Sequence, residues 1–521
     1  MKYSIVVFFI FSALGLYSQQ LEDYVDYYDV ENKNKRSEGQ FFYGREQGDW
    51  KFWYANGNLK EEASFIEGLL NGKVTYYYET GQKRTEGFFW YDKQDSIYKE
   101  WYKTGQLKLQ GWFDRGVRDS IWLFYYPSGK LWKKENTVDG VIHVEELQTP
   151  EGKILVKNGE GTLKYFFVNE QLKEESEIHK GLRNGPAIRY FQNGNKKAKG
   201  SFKNGIAEGE WKYWYETGEL NREEVVKDSV LHGSFTRYFK NGQIDAQGEY
   251  SNGAKQNQWK WFFENGQVNT VGHFVDGKQH GEWVYYFDNG QIDAIGNYEN
   301  DQREGEWKLF YKNGNKYQKG NYKNDKKDGV WSTWWEDGQI LTKGTFEQGL
   351  MQGEWSAWYK NGQLKDVGTY KNDLMEGEWK GYYSNGNPNY EGVLKDDLKQ
   401  GKWQFWYMNG KKREEGEYVD GSMDGNWSFY FETGNLDSEG VYSNGRQEGE
   451  WTFYYPTGQK RREQGFKNGR PHGDCIIWYQ GMQVMTESSY KNGRPHGNWI
   501  QYSKRGKVIS ETKYKNGERL K

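Results

Sequence analysis

The sequence has 521 residues, with 72 lysines and arginines against 74 aspartates and glutamates, so its formal net charge is only -2. This balance gives no support for binding to nucleic acid or to anionic membrane lipid, because both call for a basic surface. Glycine (66), tyrosine (42), phenylalanine (28) and tryptophan (25) are abundant, proline is rare (7), and the mean hydropathy is -1.09. Such a composition is typical of β-hairpins that turn on glycine and bury aromatic rings.

The first 18 residues are predicted to be a secretory signal peptide. Lys2 supplies a short positively charged region, and a short apolar run from Ile5 to Leu16 follows it. A membrane-spanning helix needs about 20 apolar residues, so this run is too short to be an anchor. We therefore expect an exported protein that is periplasmic, on the cell surface or secreted, with residues 19–40 as a short N-terminal lead.

From residue 41 onward, a unit of about 24 residues repeats along the chain. An earlier part of the chain carries the repeat phase at Trp50, Val74, Tyr98 and Trp122, and Leu163 resumes it after 41 residues. This interval is seventeen residues longer than one unit (41 − 24). We therefore predict a first repeat block at 41–135, an insertion at 136–160 and a second repeat block at 161–521. The later tryptophans in this phase are Trp211, Trp259, Trp283, Trp307, Trp331, Trp355, Trp379, Trp403, Trp427, Trp451 and Trp499.

The unit from Trp283 to Glu306 shows how each repeat should fold. Asn289-Gly290 predicts a two-residue type I′ hairpin turn, because both central residues of that turn need positive φ. A longer glycine-rich connection, such as Asn300 to Gly305, would return the chain to the next hairpin. The cross-strand pairs expected from symmetry about the turn are Trp283 with Gly296, Tyr285 with Ala294, and Phe287 with Ile292.

A large ring opposite glycine predicts close packing between the two strands of a hairpin. We expect the ring of Trp283 to cover Gly296, as in the aromatic rescue used in designed sheets. A branched side chain at position 296 would then collide with that ring.

The position of Tyr286 predicts a second row of rings, on the opposite face of the strand from Trp283. This position is aromatic in every unit that aligns with the 24-residue repeat. Seven of these rings form the candidate binding surface, which we call the ring row. These rings either hold neighbouring hairpins together or bind a partner such as a protein or a glycan. The ring row consists of Trp334, Trp358, Tyr382, Trp406, Tyr430, Tyr454 and Trp478.

Units such as Gly305 to Asp325, and the segments Arg470 to Gly473 and Arg494 to Gly497, resemble MORN repeats. The resemblance is greatest to the bacterial variant G-x-W-x-x-Y-Y-x-N-G-Q, found in proteins labelled YwqK-like antitoxins. It extends from about Phe41 to the C-terminus, and Cys475 departs from it by replacing a tryptophan. It implies an all-β fold, in which antiparallel hairpins form an elongated single-layer array and an open twisted ribbon. Such arrays are implicated in scaffolding and self-association.

The residues that could carry chemistry show no catalytic or metal-binding arrangement. His232, His280, His472 and His496 share one phase, which we place in the return turn. Equivalent residues of adjacent units lie about 10 Å apart, too far for two ligands of one zinc ion. The carboxylate pairs Glu223-Glu224 and Glu414-Glu415 are expected to be solvated strand positions, and Cys475 a small packed residue. We predict no catalytic residue, no cofactor and no metal.

The sequence therefore predicts an exported, non-catalytic repeat protein. Its expected role is a scaffold that binds a protein partner or associates with itself through a long aromatic β-surface. Binding of a glycan or cell-envelope polymer through the aromatic ladder is the alternative. An antitoxin role is a distant alternative, since a signal peptide would separate the chain from a cytoplasmic toxin.

Overall fold

A computed structural model describes residues 21–31 and 33–520, so the signal peptide predicted at residues 1–18 lies outside the described part of the chain. Within these residues the regular structure consists of β-strands. None of the described segments forms a helix long and apolar enough to cross a membrane. The chain divides into two compact units, Met1–Gly242 and Gln243–Lys521.

In the first unit, each strand pairs antiparallel with the next along the chain, which makes an open sheet of consecutive hairpins. The strands are β1 (Glu22–Tyr27), β2 (Lys35–Phe42), β3 (Arg45–Trp53), β4 (Leu59–Ile66), β5 (Leu69–Tyr77), β6 (Lys83–Trp90), β7 (Lys93–Trp101), β8 (Leu107–Asp114), β9 (Val117–Tyr125), β10 (Leu131–Val138), β11 (Val141–Gln148), β12 (Ile154–Lys157), β13 (Glu160–Phe166), β14 (Leu172–His179), β15 (Leu182–Tyr190), β16 (Lys196–Lys203), β17 (Ile206–Trp214), β18 (Leu220–Lys227) and β19 (Val230–Tyr238).

The second unit has the same consecutive antiparallel pairing and is the more regular of the two. Its strands are β20 (Ile244–Ser251), β21 (Ala254–Phe262), β22 (Val268–Val275), β23 (Lys278–Tyr286), β24 (Ile292–Glu299), β25 (Gln302–Phe310), β26 (Lys316–Lys323), β27 (Lys326–Trp334), β28 (Ile340–Glu347), β29 (Leu350–Trp358), β30 (Leu364–Lys371), β31 (Leu374–Tyr382), β32 (Pro388–Lys395), β33 (Leu398–Trp406), β34 (Lys412–Val419), β35 (Ser422–Tyr430), β36 (Leu436–Ser443), β37 (Arg446–Tyr454), β38 (Lys460–Lys467), β39 (Arg470–Trp478), β40 (Val484–Lys491), β41 (Arg494–Tyr502), β42 (Val508–Lys515) and β43 (Glu518–Arg519). The predicted all-β array of antiparallel hairpins is confirmed.

The hairpin tip at Asn289-Gly290 differs from the predicted type I′ turn. Only Gly290 has a positive φ (85°), and its N–H donates to the Phe287 carbonyl at 2.9 Å. The tip is therefore a type I turn followed by a left-handed glycine, the usual form of a hairpin loop with a bulge. As a result Ile292 pairs with Tyr286 and not with Phe287, so that expected pair was wrong. The pairs of Trp283 with Gly296 and Tyr285 with Ala294 are confirmed.

The tight two-residue turn lies at the other end of the strands, where we expected a longer connection. Asn300 (φ 51°) and Asp301 (φ 70°) both have positive φ, and Glu299 pairs with Gln302. The type I′ turn is thus here, and Gly305 belongs to β25. Asparagine and aspartate tolerate the left-handed region because their short side chains hydrogen-bond locally.

The core is formed by tryptophan rings that cover glycines of the preceding hairpin. The backbone of Trp283 pairs with Gly296, but its ring lies over Gly272, and a Cβ atom at Gly296 would lie 2.2 Å from the ring of Trp307. The expected collision with Trp283 was therefore wrong. A bulge between Ile295 and Asn297 shifts the register of β24 against β25 and brings the Trp307 ring over the glycine.

The indole groups also satisfy backbone carbonyls next to these bulges. The Trp307 indole N–H donates to the Asn297 carbonyl at 3.2 Å, one residue after the covered glycine. Trp331, Trp379, Trp403, Trp427 and Trp451 make the same bond ten residues back along the chain. Each of these six tryptophans therefore joins two hairpins through its ring and through its N–H group, whereas the buried N–H groups of Trp211 and Trp283 have no such partner.

Between successive tryptophans lies a tyrosine or phenylalanine ring that contacts both edge-on. Tyr322 lies 6.0 Å from Trp307 and 5.0 Å from Trp331, and Phe346 lies 6.4 Å from Trp331 and 5.4 Å from Trp355. Edge-to-face contacts of this kind stabilise aromatic cores beyond the area they bury. The core of a regular repeat is thus a continuous row of alternating rings.

The seventeen extra residues form an additional short hairpin. β11 pairs with both β10 and β12, and the four-residue β12 pairs with β13, so strand pairing continues through this segment. Leu147, Val156 and Leu163 are buried here in place of tryptophan. At the tight-turn end the hairpin is compact, because Val144 N–H donates to the Gly181 carbonyl at 2.8 Å.

One later repeat replaces the core pair of tryptophan and glycine. Cys475 stands at the tryptophan position, is 2% exposed and pairs with Gln464 at the glycine position. Gln464 is itself 4% exposed, and its side-chain amide donates to the Gly465 carbonyl at 3.0 Å. A larger residue here fills the space that the missing indole leaves.

Candidate functional site

The ring row lies where the sequence placed it, on the opposite face of the sheet from the buried tryptophans. Each member is the last residue of the first strand of its hairpin, and each is half-buried. Trp334 pairs with Ile340 and Trp406 with Lys412, so the row runs beside the hairpin tips. The rings therefore form a regular series on one edge of this face.

Tyrosine hydroxyls from the preceding tip hold the backbone of the ring row. Tyr311 donates to the Trp334 carbonyl at 2.8 Å, and Tyr383 donates to the Trp406 carbonyl at 2.7 Å. Tyr359, Tyr407 and Tyr455 make the same bond to Tyr382, Tyr430 and Trp478. Sequence reasoning missed this ladder, although its signal is the second tyrosine of the W-x-x-Y-Y pattern.

Asparagines at the tips form a second ladder along the same edge. The Asn289 side-chain carbonyl accepts from the Gln291 N–H at 3.1 Å, and its amide donates to the Lys312 carbonyl of the next tip at 3.0 Å. Asn313, Asn361, Asn385 and Asn409 bond the following tip in the same way. The tip asparagine thus shapes its own turn and joins the neighbouring one.

Carboxylates from the adjacent strand engage the two tyrosines near the end of the ring row. The Tyr430 hydroxyl donates to Glu415 at 2.8 Å, and the Tyr454 hydroxyl donates to Glu439 at 2.7 Å. Burial, followed by the neighbouring carboxylate, raises the pKa of each tyrosine to about 12. Burial opposes ionisation of Glu415, but contacts that include Lys412 and Tyr430 outweigh it and lower its pKa. The hydroxyl protons of both tyrosines therefore take part in hydrogen bonds within the protein.

The carboxylate pairs are more enclosed than the sequence suggested. Glu224 is 8% exposed and is paired with Arg222 at 2.7 Å, so its assignment as a solvated position was wrong. Glu415 is half-buried and accepts from Lys412 at 2.8 Å. These carboxylates face opposite sides of their strands and bond basic or hydroxyl groups, which makes them structural partners.

The rings of the row do not touch one another, in contrast to the core rings. In the described part of the second unit, no ring contact joins two members of the row. Lys316 lies over the Trp334 ring at 5.9 Å from its centroid. The core rings therefore have the structural role expected of the aromatic residues. In the ring row the backbone carbonyl groups accept hydrogen bonds, and the rings are half-buried.

The histidines lie in strands and not in the return turns, so their predicted placement was wrong. His472 in β39 and His496 in β41 accept the N–H groups of Asn492 and Asn516, each at 3.3 Å. Glu304 has the same role toward the Asn324 N–H at 2.9 Å. The side chain at this position of the repeat thus accepts a hydrogen bond from a backbone N–H of the next tight turn. Across residues 21–31 and 33–520 there is no group of three or more potential metal ligands.

Cys475 lies in the core, beneath the sheet surface that carries the ring row. Burial raises the pKa of its thiol, with a smaller opposing effect from Ser488. A buried thiol with a raised pKa is a poor nucleophile, because the thiolate is the reactive form.

Comparison with protein families finds a model described as a MORN repeat variant. It matches sixteen segments that recur in the same phase as the hairpins. They are residues 46–67, 70–91, 118–139, 183–204, 207–228, 231–252, 255–276, 279–300, 303–324, 327–348, 351–372, 375–396, 399–420, 423–444, 447–468 and 495–516. Each begins in the first strand of a hairpin, and together they cover more than half of the chain.

Solved structures with some likeness include much longer chains of toxin complexes. The crystal structure of TcdB2-TccC3-Cdc42 is 10% identical over 95% of this chain and 28% of that chain, with a TM-score of 0.13. The Tc holotoxin pore of Photorhabdus luminescens is 11% identical over 91% and 27%, with a TM-score of 0.14. The chain thus spans less than a third of the length of these structures. No curated protein matches the sequence significantly.

Proposed function

Because the chain belongs to the MORN repeat variant family and is a repeat scaffold, we propose that it is an exported, non-catalytic protein that binds a protein partner through the ring row. The observation that carries this proposal is the row itself. Seven rings recur in register on one face and are half-buried, while the other face buries its rings in the core.

Two features of the row favour a protein over a small ligand. Tryptophan and tyrosine dominate the energetics of protein interfaces, and charged residues frame them. Lys316 and Lys412 beside the rings, with Glu415 and Glu439 between them, give such a frame. Small-molecule sites are concave pockets, whereas the row follows one face of a single-layer sheet from hairpin to hairpin.

The tyrosines of the row also argue against a sugar. Glycan sites combine flat rings with free hydrogen-bonding groups, but Tyr430 and Tyr454 already donate to Glu415 and Glu439. Their hydroxyl protons are therefore engaged before any ligand arrives. Envelope-glycan binding remains the competing outcome of the test below.

The test is affinity capture from the native envelope with the full chain and two matched triple variants. Trp358→Ser, Tyr382→Ser and Trp406→Ser remove three rings but keep the carbonyl groups that accept the tyrosine ladder. Val393→Ser, Val419→Ser and Val441→Ser change three exposed valines (39%, 52% and 37% exposed) near the tight-turn edge of the same face.

We expect the ring variant to lose at least about tenfold in captured partner, which corresponds to about 1.4 kcal/mol, and the valine variant to behave as the parent. Protease treatment of the envelope fraction should abolish capture. Release by soluble peptidoglycan oligosaccharides would replace the protein partner by a glycan. Equal capture by both variants would remove the ring row as the binding surface.

A further inference from the structure

A slit opens in the first unit, where the shortened repeat meets the next hairpin. β12 pairs with β13 at only two positions, Val156 with Gly161 and Lys157 with Glu160. In a regular repeat the equivalent pairing runs much further toward the tip, as β24 and β25 pair up to Ala294 with Leu309. The tip half of β13 therefore has no strand on this side.

The open edge of β13 presents the backbone groups of Lys164 and Phe166. Lys157 and Glu160 close a two-residue turn, so they form a hydrogen-bonded pair, and alternation directs the N–H and C=O groups of Thr162, Lys164 and Phe166 to the same side. The intervening residues direct theirs toward β14. Val156 and Gly161 then form a non-hydrogen-bonded pair, whose flanking bond runs from the Thr162 N–H to the Leu155 carbonyl. Within residues 21–31 and 33–520, no strand pairing or turn bond reaches Lys164 and Phe166 from the open side.

The tyrosine ladder is also interrupted at this point. Tyr126 donates to the Gln148 carbonyl at 2.7 Å, as at a regular tip. The next tip carries Thr149 in place of tyrosine, and its short hydroxyl accepts from the Lys153 N–H at 3.2 Å. The carbonyl of Phe166 thus lacks the tyrosine hydroxyl that its equivalents in regular repeats receive.

The walls of the slit are aromatic and its rim is acidic. It encloses about 470 Å³, with Trp132 and Tyr165 on one side at 6.4 Å between ring centroids and Phe166, 49% exposed, beside them. Glu151 and Glu170 lie exposed at the rim, and in the described part of the chain neither takes part in an ion pair. The slit therefore combines an open strand edge, apolar walls and negative charge.

We infer that this slit is a docking site for an extended peptide, which adds as a short strand to the edge of β13 from Lys164 to Phe166. Strand addition satisfies the free backbone groups of an open edge, and pockets beside it select the alternate side chains. The two residue steps from Lys164 to Phe166 span about 7 Å, enough for a segment of about three residues. The peptide that fits has apolar side chains facing Trp132 and Tyr165, alternating with basic ones at Glu151 and Glu170.

The first test uses the full chain and an array of labelled hexapeptides in which valine or phenylalanine alternates with lysine. Binding is measured by fluorescence anisotropy. We expect at least one such peptide to bind, and its lysine-to-glutamate counterpart not to bind. N-methylation of the alternate backbone amides that face β13 should weaken binding about tenfold or more, while methylation of the other set has a smaller effect.

The second test changes the protein at one backbone position. Lys164→Pro removes the N–H that faces the slit, and it leaves the bonds of the neighbouring residues to β14 in place, because proline is tolerated at strand edges. Lys164→Ala is the matched control, since it shortens the side chain but keeps the N–H. We expect about tenfold weaker binding for the proline variant and binding close to the parent for the alanine variant.

Several outcomes would overturn the inference. These are the absence of binding across the whole array, equal binding of both N-methylated sets, equal binding of the proline and alanine variants, and displacement of the peptide by soluble oligosaccharides. The peptide measurements need only the parent protein, so a folding defect in Lys164→Pro does not block the test. The site does not rest on the ring row, and the triple ring variant should bind these peptides as the parent does.

Discussion

The hairpins around Trp427 and Cys475 lie in the same unit and fill the same core space in opposite ways. In the first, the Trp427 ring covers Gly416, and a Cβ atom there would lie 2.2 Å from the ring. In the second, the small Cys475 faces the large, buried Gln464. The comparison teaches that the two positions are coupled. A repeat tolerates the loss of its tryptophan when a larger residue replaces the paired glycine.

The same reciprocity appears elsewhere in the chain. Val74, which is 1% exposed at the tryptophan position, is matched by Ala63 where other repeats have glycine. Phe235 is matched by Glu224, which is buried. In these repeats a smaller ring or an aliphatic residue accompanies a larger partner, as close packing requires. Tyr98 is an exception, because it keeps Gly87 as its partner and the Gln94 side chain lies over that glycine instead.

The largest effect should come from breaking a regular pair. Gly296→Val would place a branched side chain against the Trp307 ring, and we expect a local cost of about 3 kcal/mol. Strand propensity alone favours valine over glycine, so it predicts the opposite sign. Hydrogen exchange of β24 and β25 in the full chain measures the local stability.

Gly277→Val is the comparison variant for this measurement. Gly277 lies in a tight turn at φ 81°, where valine costs about 1–2 kcal/mol for conformation alone, and no ring lies over it. A cost at Gly296 no greater than that at Gly277 would contradict the ring-over-glycine contact.

The coupling itself is tested by moving the irregular pair into a regular repeat. Gly440→Gln collides with Trp451, and Trp451→Cys leaves a cavity, so each single change should destabilise the repeat. The double variant should be more stable than the two costs added together predict, by about 1–3 kcal/mol in a double-mutant cycle. Urea unfolding of the four proteins measures this difference. Strict additivity would mean that the two positions are independent.

A smaller effect is expected in the tyrosine ladder, which the irregular repeat shares. Tyr407→Phe removes the 2.8 Å bond to the Tyr430 carbonyl and should cost about 1 kcal/mol. Phenylalanine already occupies this position at Phe431, so the ring itself fits. The reverse change, Phe431→Tyr, should stabilise the next tip by a similar amount. Thermal unfolding of both variants checks the two signs, and a loss in both would exclude the ladder as a stabilising feature.

The sequence predicted the backbone frame of a repeat better than its contacts between repeats. The period and alternation were enough to pair Trp283 with Gly296, because strand register follows from a period of two. They could not show that Trp307 covers that glycine, since the bulge after Ile295 has no sequence signature of its own. For the same reason Asn300-Asp301 was not recognised as the tight turn: asparagine and glycine at the tip gave the stronger signal.

The candidate site was predictable to a similar extent. The alternation placed the ring row on the correct face, but it could not show that tyrosines such as Tyr311 reach a carbonyl 23 residues ahead. The slit could not be predicted from the sequence either. Seventeen extra residues indicate additional chain, yet only the pairing of β12 with Gly161 shows where the sheet opens.

The smallest effect is a dependence on pH at Glu415. Its folded pKa is lowered, so its contribution to stability is fully present above the unfolded pKa of about 4.3 and is lost as the pH falls through the folded pKa. The difference in Tm between the parent and Glu415→Gln should therefore be constant from pH 6 to 8 and shrink below about pH 4. Glu450→Gln, at an exposed position of the same unit, corrects for the loss of one negative charge.

The contacts between repeats also determine how the length of this protein can change in evolution. The tyrosine and asparagine bonds reach 23 residues ahead, and the indole bonds reach ten residues back. Loss or gain of one whole unit restores each of these partners, so recombination between similar repeats can shorten or lengthen the gene without disturbing the fold. The seventeen-residue hairpin illustrates the alternative, in which a change that is not a whole unit leaves a strand edge uncovered.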